Sequence, residues 1–114
     1  MQDTSSSSRQ QYCLKWNNHK TNISGVFDRL RSDEKFVDVT LASSDQKSLK
    51  CHRILLSAGS GYLEKILEQN PSDHPTIVLS HIKFNELKYL VEFMYSGKVS
   101  TLFLKEKYSI YIFF

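Results

Sequence analysis

Apolar and polar positions repeat with two different periods along this chain, and the period changes at a few sharp places. Tyr12, Leu14 and Trp16 share one face of a two-residue repeat, with Cys13 and Lys15 on the other, so 12–16 reads as a short strand. Asn17 and Asn18 offer N-caps for the next element. Ile23, Val26, Phe27 and Leu30 recur at i, i+3, i+4 and i+7, one stripe of a helix spanning 20–31 that Gly25 weakens slightly. Val37-Asp38-Val39-Thr40-Leu41 returns to period two, Ser43 to Lys47 is a polar turn, and Leu49-Lys50-Cys51-His52 closes a hairpin. From Arg53 the period is helical again, through Ile54, Leu55, Ala58, Tyr62, Leu63, Ile66 and Leu67. Gly59-Ser60-Gly61 splits that run into two short helices. Residues 70–75 form a loop carrying both prolines, and 76–79 a short β-branched strand. Asn85 is placed to cap a last helix with Leu87, Leu90, Val91 and Met94 on one stripe, and Gly97 stands where a left-handed C-cap is wanted.

Strand, helix, hairpin, helix pair, strand, helix is the order expected of an α+β domain with short helices clustered around a small sheet. The 114 residues allow one core. Residues 1–11, with serine at every position from 5 to 8, are too polar to bury a core and are predicted to be disordered. The strand at 12–16 then stands alone. Unpaired N–H and C=O groups on such an edge invite another chain, and Trp and Tyr on one face strengthen that contact. Its expected partner is a second molecule.

Charge and chemistry narrow the function classes. The net charge is +3, but fifteen Lys and Arg are interleaved with twelve Asp and Glu. Without a basic cluster, a nucleic-acid-binding domain is the weaker reading and a protein-interaction module the stronger. Cys13 and Cys51 make neither a disulfide framework nor a zinc site, and His19, His52, His74 and His81 lack metal-ligand spacing. Cys51 and His52 are strand neighbours pointing to opposite faces, which forbids a nucleophile–base pair. Gly59-Ser60-Gly61 lacks the strand before it and the Lys after it that a phosphate loop needs. No enzyme, metal or cofactor is expected. No signal-peptide pattern opens the chain, and no apolar run approaches the ~20 residues of a membrane helix. A reducing, intracellular compartment is expected.

Several blocks, in order, resemble the BTB/POZ domain, and more narrowly the insect tramtrack and bric-à-brac subgroup. They are Tyr12-Cys13-Leu14-Lys15-Trp16-Asn17-Asn18-His19, Val26-Phe27-Asp28, Phe36-Val37-Asp38-Val39-Thr40-Leu41, Lys50-Cys51-His52-Arg53-Ile54-Leu55-Leu56-Ser57-Ala58 and Phe93-Met94-Tyr95-Ser96-Gly97-Lys98-Val99. The resemblance implies a domain over 12–100 that dimerises. Its first helix packs across a two-fold axis, making Ile23, Val26, Phe27 and Leu30 interface residues. Its first strand, here Tyr12, Leu14 and Trp16, crosses to pair with the partner's strand at Lys98, Val99 and Ser100. Asp38 and Arg53 match a charged pair in the dimer groove. Gly59, where the family has a small residue or Cys, is expected to loosen the helix pair.

The implied function is a dimerisation or oligomerisation module of a nuclear transcriptional regulator. It would act on RNA polymerase II transcription by binding itself, related BTB proteins and co-regulators, without touching nucleic acid or membrane. The alternative is a substrate adaptor of a cullin-type ubiquitin ligase; the opening strand favours the first. Residues 101–114 depart from the quoted blocks into an aromatic, β-branched run with the signature of an aggregation-prone segment. That tail points to a truncated product or a gene-model artefact, lacking the family's closing helices and exposing the 85–96 helix. Such a chain is expected to pair with full-length partners as a competitor.

Overall fold

The alternating run of the first hairpin strand becomes the middle of the sheet. A computed structural model describes residues 10–98. In chain order they form α1 (His19–Ser32), β1 (Val39–Ala42), β2 (Ser48–Cys51), α2 (Arg53–Gly59), α3 (Gly61–Glu68), β3 (Thr76–Val78) and α4 (Phe84–Ser96). The sheet order is β2-β1-β3. β1 runs antiparallel to β2, with Val39 opposite Cys51 and Leu41 opposite Leu49, and parallel to β3, with Leu41 opposite Ile77. Period two therefore sends Val39, Leu41, Cys51 and Ile77 inward together. Leu56, Leu63 and Leu67 of the helix pair close on them, as do Leu87, Leu90, Val91 and Tyr95 of α4. This is the predicted α+β class. Each fully buried Leu contributes roughly 1.5–3 kcal/mol relative to exposure.

Local chemistry sets the boundaries. Ser60 breaks the helix pair as expected: its Oγ accepts the Leu63 N–H at 3.1 Å and starts α3. Gly97 ends α4 in the left-handed conformation, φ 77°, its N–H donating to the Phe93 carbonyl. Asn18 flanks α1 as predicted, but at φ 61° and with no side-chain cap. At Gly59 an added Cβ would lie 2.8 Å from Met94 Cγ, so the missing side chain leaves room for the Met94 side chain of α4 beside α2.

Two expectations are corrected. Asn85 does not cap α4, which begins one residue earlier with Lys83 in the cap position. The cap comes from a distant part of the chain. Asp45, in the β1–β2 turn, accepts the Phe84 N–H at 3.0 Å through Oδ1, and Glu86 Oε1 accepts the Lys83 N–H at 3.1 Å. The strand at 12–16 is also absent from the single chain. A strand is defined by its ladder, and nothing among the described residues of the same molecule supplies one. Residues 1–9 and 99–114, including most of the predicted leader, most of the receiving strand and the tail, lie outside the described residues.

Candidate protein-interaction surface

Helix α1 has a partly covered side and an open side. Ser24 Oγ donates to the Tyr95 carbonyl at 2.7 Å, tying the helix to α4. Phe27 packs against the core and meets the His52 ring edge-on, centroids 5.7 Å apart. Leu30 is half-buried. Ile23 and Val26, from the same stripe, are exposed at 37% and 44%. No residue of α1 is fully buried. The stripe is thus wider than this chain can cover. Phe27 serves the chain's own core, Leu30 is half-buried, and Ile23 and Val26 are the exposed members of the stripe.

Ahead of α1, Tyr12 and Leu14 are almost wholly exposed and Trp16 is 56% exposed. Tyr12 hydrogen-bonds to nearby Gln10, and Trp16 stacks edge-on against His19. Lys98 is exposed at the other end of the described residues. Val99 and Ser100 lie outside them, so the expected pairing of the two strands falls outside the described residues.

Asp38 and Arg53 meet. One carboxylate oxygen accepts the Arg53 backbone N–H at 2.7 Å and the other accepts Nε–H at 3.1 Å. The free end of the guanidinium donates to the carbonyls of Ser72 and Asp73 at 3.2 and 2.9 Å. Only a fork of donors can do this, since one Arg reaches β1's leading edge and the α3–β3 loop together. Both side chains are about one-third exposed, so the pair is screened and each partner keeps an open side.

Behind this surface lies a buried network that residue patterns do not reveal. Tyr95 Oη accepts the His52 backbone N–H at 2.9 Å and lies 2.6 Å from Nδ1, while Nε2 lies 2.8 Å from the Lys35 carbonyl. A carbonyl only accepts, so Nε2 carries a proton and the hydroxyl donates to Nδ1. The Arg31 guanidinium sits over the Tyr95 ring, 5.0 Å from its centroid. Burial raises the phenol's pKa above its usual value. Burial also pushes the Cys51 thiol up to about 12, which removes it as a nucleophile. Among the described residues, no three His, Cys, Asp or Glu converge as metal ligands.

A family model described as the BTB/POZ domain matches residues 27–111. The chain belongs to the BTB/POZ family. That match runs past residue 100, the expected end of the domain. The Drosophila melanogaster protein bric-a-brac 1 is 46% identical over 95 residues, covering 83% of this chain and 10% of that protein. Tramtrack, alpha isoform, of the same organism is 44% identical over 91 residues, covering 80% and 11%. A longitudinals lacking protein-like chain, again from Drosophila melanogaster, is 46% identical over 94 residues, covering 82% of this chain and 73% of the relative. This BTB domain therefore spans about a tenth of bric-a-brac 1 and tramtrack. The solved BTB domain of zebrafish PATZ1 superposes with a TM-score of 0.70 at 21% identity, over 80% of this chain and 74% of that one. It shares the α+β fold. The family assignment marks this chain as a protein-interaction module. Among the described residues, no helix is long and apolar enough to cross a membrane.

Proposed function

We propose that this BTB domain dimerises, with itself or with related BTB proteins, and serves a nuclear regulator of RNA polymerase II transcription by recruiting co-regulators. The observation carrying the reading is the apolar side chains that one chain leaves open: Tyr12, Leu14 and Trp16 ahead of α1, and Ile23 and Val26 on it. Large aromatic and aliphatic side chains left in water at this density belong to interfaces. Identity above 40% to bric-a-brac 1 and tramtrack supports the subgroup role. The Asp38–Arg53 pair, one-third exposed, would border the groove between two copies. Lys98 and Val99 would receive the partner's opening strand. The interleaved charges give no footprint for direct nucleic-acid contact.

The test is a paired pull-down with the full chain as bait, one arm presenting a co-repressor and the other a cullin. Retention of the co-repressor alone supports the reading. Retention of the cullin alone replaces it with the ubiquitin-ligase adaptor role.

A further inference from the structure

The positive charge of the described residues is gathered at one place. Between residues 28 and 98, ten Lys and Arg stand against ten Asp and Glu. The excess is therefore Lys15 and Lys20, with no Asp or Glu anywhere from residue 10 to 27. Both lysines are exposed. The ion pairs among the described residues are Arg29–Asp33, Arg31–Asp28 and Arg53–Asp38, so neither lysine has an anion from its own chain. Glu92, one turn before the Tyr95 that Ser24 holds on α4, pairs with neither. Lys20 lies in the first turn of α1, which carries no acidic residue to offset the positive end of the helix. Tyr12, Leu14 and Trp16 stand exposed in the same segment, and the backbone of 12–16 belongs to no ladder. A second copy does not supply the missing anions, because the strand expected to receive 12–16 opens on Lys98.

We infer that residues 12–20 bind an extended acidic segment of another protein, one that alternates Asp or Glu with apolar residues. The inference rests on the protein-interaction reading above and names the chemistry of the partner. Such a segment adds as a strand to the open backbone of 12–16. Its apolar positions then meet Tyr12, Leu14 and Trp16. Its carboxylates meet Lys15 on the opposite face and Lys20 at the start of α1. The number of cations decides the class of partner. Nucleic-acid binding draws its affinity from neutralising many phosphates at once, and an anionic membrane surface is read by clusters of about 4–8 Lys or Arg. Lys15 and Lys20 alone supply neither. For a peptide they suffice, because the aromatic and aliphatic contacts give the affinity and the charges select the sign.

Trp16 is the sole tryptophan, so the intrinsic fluorescence of the full chain reports this segment directly. The test titrates the chain with a short peptide alternating Glu with Val, and with the same peptide carrying Lys in place of Glu. Wild type should bind the Glu peptide with a change in Trp16 emission, at least about tenfold more tightly than the Lys peptide. Added salt should narrow that preference. The double variant Lys15→Glu with Lys20→Glu should reverse it. Both side chains are exposed, so the variant should keep its fold, read by circular dichroism. The milder Lys15→Gln with Lys20→Gln makes the same comparison should the first unfold, and should abolish the preference. Equal binding of the two peptides, or a preference that these variants leave unchanged, overturns the inference. Tighter binding of single-stranded DNA or of phosphatidylserine vesicles than of the Glu peptide also overturns it, since the lysines would then serve a phosphate surface. A co-repressor retained equally by wild type and by the double variant overturns the inference and leaves the co-regulator reading standing. Selective Glu-peptide binding with no co-repressor retained by wild type removes the co-regulator reading and leaves the acidic-segment site standing.

Discussion

Tyr95 Oη lies 2.6 Å from His52 Nδ1 and 2.9 Å from the His52 backbone nitrogen, so one hydroxyl closes the seam between α4 and the start of α2. The same imidazole reaches the Lys35 carbonyl and thereby positions the loop carrying Phe36. The α1–β1 loop is thus tied to the core through the buried His52 side chain.

Tyr95→Phe keeps the ring under Arg31 and removes only the hydroxyl. Two buried groups of His52 then lose their partner, a loss of about 1–3 kcal/mol. Urea unfolding should show that loss with an unchanged slope. A variant as stable as wild type would mean that the seam does not depend on this bond.

Arg53→Lys keeps the charge and loses the fork. One ammonium cannot serve Asp38 and the Ser72 and Asp73 carbonyls in the same geometry. The pair is partly exposed, so global stability should fall by no more than about 1 kcal/mol. Loop 70–75 should loosen more than that, seen as faster amide exchange there than in the β1–β2 hairpin. Equal protection in both proteins would contradict this.

The two cysteines should differ sharply toward alkylation. Cys13 is exposed, whereas Cys51 is buried with its thiol pushed up to about 12. Native protein near neutral pH should therefore label at Cys13 alone, and denaturant should release the second site. Rapid native labelling of Cys51 would show that the core opens there.

Asp45 gives the turn a pH signature. Hydrogen bonding from the Ser43 hydroxyl leads the causes that lower its pKa below the 3.8 of a free carboxyl, with the Phe84 N–H also contributing. A native pKa below the unfolded one means that the unfolded chain binds the proton first as pH falls. The contribution is therefore whole above about pH 4 and is lost as pH drops through the lowered native value. The thermal midpoint of Asp45→Asn should lie below wild type at neutral pH and converge with it in acid. A gap that stays constant with pH would remove the carboxylate from the role.

What the residues disclosed in advance divides along a physical line. Local signals worked: the two-residue repeat of Val39 and Leu41, the Ser60 break, the Gly97 cap. So did the wide stripe of α1, whose excess width is now visible as exposed Ile23 and Val26. Signals acting between distant residues were silent. Asp45 caps a helix 39 positions away, and Tyr95 reaches His52 across 43, with nothing in either neighbourhood to announce it. Asn85 misled because local capping statistics cannot see a cap supplied by another loop. The strand at 12–16 has the right alternation, but its ladder is not among the described residues of the same molecule.

That last point gives the most direct test. Sedimentation of the full chain should be run beside a variant lacking residues 12–16, across micromolar concentrations, with circular dichroism reporting the fold. The expected result is a dimer or larger assembly for the full chain, and association weakened by at least about tenfold for the deletion with the hairpin intact. A stable, folded monomer of the full chain at every concentration would contradict the interface on which the proposed function rests.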